Sequence, residues 1–226
     1  MTLVAVAADK FCSGTDPDND WRDETPRKKR ARAALRVVNL LEALGAEYDS
    51  DAHLVSYIVS GPDGRPLARQ PRVKKTALPW LLSLGYRVDC DVLFCDVDNP
   101  GHAEWTPASL ARALAAYDSL PILATAGIYH TAHGARIVQP LDEPVSVAVV
   151  ERYLLAWLRD LESAGLEVDW ACRDWTRMFR LPNVRRGPVD YRSPVVRFAR
   201  MVPRTVTPAP EVAHLRRPKG PTRCAP

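Results

Sequence analysis

Residues 88–102 read VDCDVLFCDVDNPGH, an apolar run that ends in two aspartates one residue apart. Side chains alternate along a strand, so Asp96 and Asp98 point to one face with Cα atoms about 6.5 to 7 Å apart. Two carboxylates so close repel each other unless positive charge lies between them, and hard oxygen ligands suit Mg²⁺ or Mn²⁺. Asp89 and Asp91 form a second D-x-D on the opposite parity. Position separates the two pairs. Val92, Leu93, Phe94 and Cys95 are apolar on both parities, so the strand is buried there, and Asp96 and Asp98 emerge at its C-terminal end.

Two further groups of residues match the needs of phosphate chemistry. In YHTAHGARIVQPL a small-residue turn leads into a strand and carries His133 and Arg136 close to the backbone of Gly134, an arrangement suited to a triphosphate. His130 reads as a surface side chain. In EVDWACRDWTRMFRLPNVRRG, Asp169 ends a short strand and can complete a three-carboxylate metal site. Arg177, Arg180, Arg185 and Arg186 follow on an extended segment that can clamp phosphates. Trp170 and Trp175 offer faces for a base to stack on, with core packing as their simpler role.

The elements that must hold these groups read as follows. RKKRARAALRVVNLLEALG has Ala31, Leu35, Val38 and Leu41 at helical spacing before Gly45. HLVSYIVSGPDGRPLA is a strand entering a turn at Gly61 to Gly64, KKTALPWLLSLG a short helix, and Tyr86 to Asp98 a strand. Thr106 is the expected N-cap and Pro107 the first residue of a helix through Leu110, Leu114 and Tyr117. PILATAGIYHT and GARIVQPL read as adjacent strands, and PVSVAVVERYLLAWLRDLESAG as the best amphipathic helix. LEVDWA and RMFRLPNV read as short extended pieces. Short connections between irregularly interleaved strands and helices favour an α+β domain over a doubly wound parallel sheet.

Composition supports a globular chain. Its 226 residues, 46% hydrophobic, suffice for one large domain or two small ones with a buried core. Residues 1–200 read as the folded domain that carries these groups and 201–226, rich in Pro and basic residues, as a tail or linker. Net charge is only +4, but from Arg173 onward thirteen Arg or Lys face three acidic residues, which suits a polyanionic partner or a solvated tail. Five cysteines without a C-x-x-C pair fit buried hydrophobes in a reducing compartment rather than disulfides or a zinc site. No apolar run approaches the roughly 18 residues of a membrane span, and the expectation is a cytoplasmic protein without a membrane partner.

Taken in order, LFCDVD, TAHGARI and VDWACRDWTRMFRLPNV resemble the three motifs of the archaeo-eukaryotic primase superfamily, in particular the primase-polymerase modules of phage and plasmid replication proteins. The resemblance spans about residues 75 to 190. It implies a two-part α+β core with an RNA-recognition-like antiparallel sheet flanked by helices. It assigns Asp96, Asp98 and Asp169 as catalytic ligands of two Mg²⁺ or Mn²⁺ ions. Thr131, His133, Gly134, Arg136, Arg177 and Arg180 would bind the nucleoside triphosphate. Arg185, Arg186 and the basic C-terminal stretch would track a single-stranded DNA template, and a replicative helicase is an implied partner. Arg136 stands where the family usually has histidine. The implied activity is template-directed nucleotidyl transfer to a 3′-hydroxyl. Two other readings fit parts of the pattern: a non-catalytic nucleic-acid-binding module of primase-like fold, and a haloacid-dehalogenase-like phosphatase, which leaves the Arg-Leu-Pro segment unexplained.

Overall fold

The computed structural model describes residues 1–7, 35–131, 133–186, 189–190, 196–197 and 201–210. In chain order the elements are β1 (Leu3–Ala7), β2 (Arg36–Asn39), α1 (Leu40–Gly45), β3 (His53–Val55), β4 (Tyr57–Ser60), α2 (Leu78–Ser83), β5 (Arg87–Asp98) and α3 (Pro107–Asp118). There follow β6 (Gly127–Thr131), β7 (Gly134–Ser146), α4 (Val150–Ser163), β8 (Phe179–Arg180), β9 (Arg185–Arg186), β10 (Val189–Asp190) and β11 (Val196–Arg197). The chain has a mixed α+β fold.

Two sheets carry the strands, in the orders β2-β1-β3-β8 and β11-β6-β7-β5-β4, beside a small β9-β10 hairpin. Every described ladder is antiparallel. Only Ser56 separates β3 from β4, so one extended run leaves the first sheet and enters the second. A single apolar core spans both sheets.

β5 is the spine. Val92, Leu93, Phe94 and Cys95 are buried in succession, because this stretch is covered on both faces. Phe94 stacks on Phe179 of β8, ring centroids 4.9 Å apart, so one face of β5 looks toward the first sheet. α4 lies against β5 and buries Val150, Leu154, Trp157, Leu158 and Leu161, the stripe its 3.6-residue periodicity predicts.

α3 begins as its sequence demands. The Thr106 hydroxyl accepts from the Ser109 amide, the Ser109 hydroxyl accepts from the Thr106 amide, and Pro107 occupies the first turn. The strand before it and the β6–β7 pairing after it also fall where expected, except that the segment read as a strand from Pro121 starts as a 3₁₀ turn, Pro121–Leu123, and β6 begins only at Gly127. The first amphipathic segment does not. Arg36–Asn39 pairs with β1 as a strand, and the helix starts only at Leu40, where the Asn39 side chain accepts the amides of Leu41 and Glu42. The β-branched Val37 and Val38 favour the ladder, and the cap residue ends it. Residues 27–34 of that expected helix lie outside the described residues. The strand expected at LEVDWA is reduced to a single bridge between Val97 and Val168, after which Trp170–Arg173 forms a 3₁₀ turn.

Residues 201–210 belong to the packed body. The Val202 amide donates to Thr125, Arg204 exchanges backbone hydrogen bonds with Pro140 and Asp142, and Val206 and Ala209 are buried. The rest of the stretch assigned to a tail, 211–226, lies outside the described residues. Among the described residues no helix is long and apolar enough to cross a membrane. Cys90, Cys95 and Cys172 are free and buried, as small apolar side chains. Cys12 and Cys224 lie outside the described residues.

The Asp89 and Asp91 pair has structural partners. Arg87 reaches Asp89 at 3.0 Å, and Asp91 accepts the Leu3 amide at 3.1 Å. Burial holds the Asp91 carboxyl above the usual aspartate range, against the Leu3 amide, which lowers it. A raised native pKa means that the fold loses stability as pH rises through it. Asp91→Asn is therefore expected to stabilise the protein at pH 7 by less than about 1 kcal/mol, a gain that disappears on acidification below the unfolded-state value near 4. Urea midpoints at the two pH values test this.

Gly134 is required by close approach. A Cβ built there falls 2.1 Å from the carbonyl oxygen of Val97 on the neighbouring strand. That oxygen is part of the ladder and has nowhere to go. Gly134→Ala is expected to cost about 3 kcal/mol, read from the urea midpoint.

Candidate functional site

Register brings the motifs together. Asp96 sits opposite Arg136 on β7, and Asp98 opposite Gly134. On the other edge of β5, the Asp169 amide donates to the Asp96 carbonyl at 2.8 Å and the Asp98 amide to the Glu167 carbonyl at 3.1 Å, around the Val97–Val168 bridge. Directly opposed residues present their side chains on the same face of a sheet. Arg136, Asp96 and Asp169 thus form a row across three adjacent segments.

The row is closed by arginines. The Arg136 Nε donates to Asp96 Oδ1 at 2.5 Å. Arg177 reaches both acids, with Nη2 3.1 Å from Asp96 Oδ2 and Nη1 2.6 Å from Asp169 Oδ2. The other Asp169 oxygen accepts the Ala171 amide at 2.9 Å and so caps the 3₁₀ turn. The Sγ of Cys172 lies 3.2 Å from the Asp96 amide. Ligand atoms of Asp96, Asp169 and Cys172 all lie within 4.8 Å of one another.

Arg136 is fixed from every side. Its Nη1 donates to the Tyr129 hydroxyl at 3.1 Å and to the Arg180 carbonyl at 2.5 Å, and its guanidinium lies 5.2 Å from the Phe179 ring centre. Burial works against its charge, but the Tyr129 hydroxyl and the Asp96 carboxylate outweigh that and raise its pKa. Tyr129 is itself raised, chiefly by burial, with Arg136 opposing. For Arg177, burial is likewise outweighed by Cys172, Asp169 and Asp96, and its pKa is raised. Both guanidinia carry full charge at any ordinary pH. The Cys95 thiol is held well above the usual range by its hydrogen bond with Cys172 and by burial, so it is protonated and inert.

The other expected site residues are distributed around this cluster. Asp98 shares the Asp96 face by alternation but is not part of the close group. It borders a cleft of about 730 Å³ whose walls include Asn99, Trp105, Arg112, Tyr117 and Glu167. The hairpin of the second motif is clamped to the rim of that cleft. Trp105 Nε1 donates to the carbonyls of Thr131 and Gly134 at 2.9 and 3.0 Å, and the His133 carbonyl accepts the Asn99 amide at 2.8 Å. The His133 side chain is exposed. Arg180 forms a two-pronged pair with Asp51 at 2.5 and 3.3 Å, while its backbone carbonyl takes Arg136. Arg185 is exposed on β9, the strand that also contains Arg186. Trp175 packs edge-on against Tyr57 in the core, and Trp170 donates to Glu162.

Four participants escaped the sequence reading: Asp51, Tyr129, Cys172 and Phe179. Tyr129 had a usable signal, since a tight β6–β7 hairpin sets it opposite Arg136. Asp51 and Phe179 had none, because their roles depend on how β3 and β8 meet.

Comparison with protein-family models finds no match for the chain, and a search of curated proteins returns none. Two carboxylates and a thiol, facing two guanidinia, can bind a cation only if a guanidinium yields, and can bind an anion only through the arginines.

Removing Arg136 leaves Asp96, the Tyr129 hydroxyl and the Arg180 carbonyl short of a donor in a buried place. Arg136→Met is expected to cost about 3 to 5 kcal/mol. Arg136→Lys recovers only part of this, since one ammonium lacks the fork that spans three acceptors. Chemical denaturation of the two variants measures both effects.

Proposed function

We propose that the chain is a metal-dependent nucleotidyltransferase of the primase-polymerase kind, joining nucleoside triphosphates to a 3′-hydroxyl on a single-stranded DNA template. The observation that carries this reading is the meeting of Asp96 and Asp169, distant in sequence and adjacent across β5, on the face that also presents Arg136 and Arg177. Acids alone would serve many purposes. Acids with arginines at the same spot match the two charges of a metal-bound triphosphate.

The donor set fits a divalent ion in part. The hard carboxylate oxygens of Asp96 and Asp169 suit Mg²⁺ or Mn²⁺, and the nearby Cys172 sulfur favours the softer Mn²⁺. Asp96 and Asp169 would hold one ion, and Asp98 is the residue at hand for a second. When bound, such ions activate the attacking hydroxyl and neutralise charge on the leaving pyrophosphate. The chain's own residues do the rest. Arg177, the more exposed of the two paired arginines, is placed to take a phosphate oxygen. Arg136 fixes the orientation of the Asp96 carboxylate. Exposed Arg185 offers a phosphate contact for the template, so binding should weaken with salt.

The non-catalytic reading, a primase-like module that only binds nucleic acid, draws on one observation: both Asp96 oxygens are already satisfied by guanidinia. One experiment separates the two. With Mn²⁺, a primed single-stranded template and deoxynucleoside triphosphates, the wild type is expected to extend the primer. Asp169→Asn is expected to lower the rate at least about 100-fold while leaving template binding unchanged. Template binding without any extension by the wild type would instead support the module.

A further inference from the structure

The two arginines on Asp96 differ in how firmly they are held. Arg136 has 10% of its side chain exposed and is tied to Asp96, Tyr129 and the Arg180 carbonyl. Arg177 has 30% exposed, and its polar contacts are the two acids that would take a metal. It rises from a short turn in which Asp174 accepts from Thr176 and Arg177, and its guanidinium passes 5.8 Å from the Phe179 ring centre.

Its position decides the charge of the site. With Arg177 in place, two carboxylates face two guanidinia and the cluster is neutral, with nothing to draw in a dication. With Arg177 withdrawn, the two carboxylates face Arg136 alone and the site carries a net negative charge.

We infer that Arg177 is an internal cation that closes the Asp96–Asp169 pair, and that a divalent ion enters only by displacing it. This rests on the metal-dependent reading above and deepens it, because it gives the site a closed state. A ligand that binds only the open state has its affinity reduced by the fraction of molecules that are open. The displaced guanidinium is then available to an anion. Arg136 is too firmly tied to exchange in this way.

The test uses Mn²⁺ alone, without nucleotide, so that activity is not the readout. Free Mn²⁺ is followed by electron paramagnetic resonance during titration of the full chain. If Arg177 closes the site in about nine molecules of ten, Arg177→Met and Arg177→Gln should bind Mn²⁺ about tenfold tighter than the wild type. Met keeps the length of the side chain over Phe179, so at least one variant retains the local packing. Arg177→Lys, which keeps the charge, should stay close to the wild type. Adding Asp169→Asn to Arg177→Met should abolish the gain. Mn²⁺ should also raise the melting temperature of Arg177→Met more than that of the wild type.

Equal Mn²⁺ affinity in the wild type and both neutral variants, lost in each on Asp169→Asn, overturns the closed state while leaving the metal site standing. A gain that survives Asp169→Asn overturns it too, since the ion then binds elsewhere. If neither the wild type nor the neutral variants bind Mn²⁺ at millimolar concentration, the metal-dependent function fails together with the inference.

Discussion

The Asp96 carboxylate is the constraint around which the site is built. Its side chain is only 15% exposed, and a charge so placed is tolerable only if paired. Three separate parts of the fold supply what it needs. The β5–β7 register sets Arg136 opposite, the bridge at Val97–Val168 sets Asp169 beside it, and the turn before β8 supplies Arg177. A one-residue slip of β7 would send Arg136 to the other face and leave Asp96 with Arg177 as its remaining guanidinium partner. Gly134 guards against that slip, because its missing Cβ lets β7 come close to Val97 at the one place where the hairpin closes.

The polar network also joins the two sheets. Arg136 belongs to β7 in the second sheet, yet its Nη1 and the Tyr129 hydroxyl both donate to the carbonyl of Arg180, on the edge strand of the first. That carbonyl belongs to the residue whose side chain is held by Asp51. Below them Phe94 and Phe179 stack across the same gap. Apolar contact brings the sheets together without fixing their relative position, whereas directional hydrogen bonds to one carbonyl do fix it. The placement of Arg177, two residues before Phe179, follows from this docking.

What the sequence disclosed was local. The Thr106 cap, the buried run of β5 and the hairpin at Thr131–Gly134 are written in neighbouring residues, and all three are present. The nearness of Asp169 to Asp96 is not written locally, since nothing within residues 166–170 says which strand they pair with. The β2 segment was misread because Leu35, Val38 and Leu41 satisfy a helical period while Val37 and Val38 satisfy a strand, and the partner that decides, β1, lies about thirty residues away in sequence. The partners of the arginines were hidden for the same reason. The sequence shows that Arg136 and Arg180 are basic; it does not show that one is buried on Asp96 and the other, half-buried, is held by Asp51.

A cluster already neutral within itself behaves unlike a nest of bare carboxylates. Bare acids hold a fold together only when a metal is present, and the apo state suffers their repulsion. Here the guanidinia take that load, so the apo protein has no need of metal to keep β5, β7 and β8 docked. Any ligand must therefore exchange charge with the cluster rather than add to it. A dication alone leaves a guanidinium to be resolvated, and a polyphosphate alone has to pull a guanidinium from its acids. A dication carrying a polyphosphate meets both demands at once, because each half of the ligand takes the partner that the other half sets free. Under the proposed function, the arrangement of Asp96, Asp169, Arg136 and Arg177 would on electrostatic grounds favour a metal–polyphosphate pair over either component by itself.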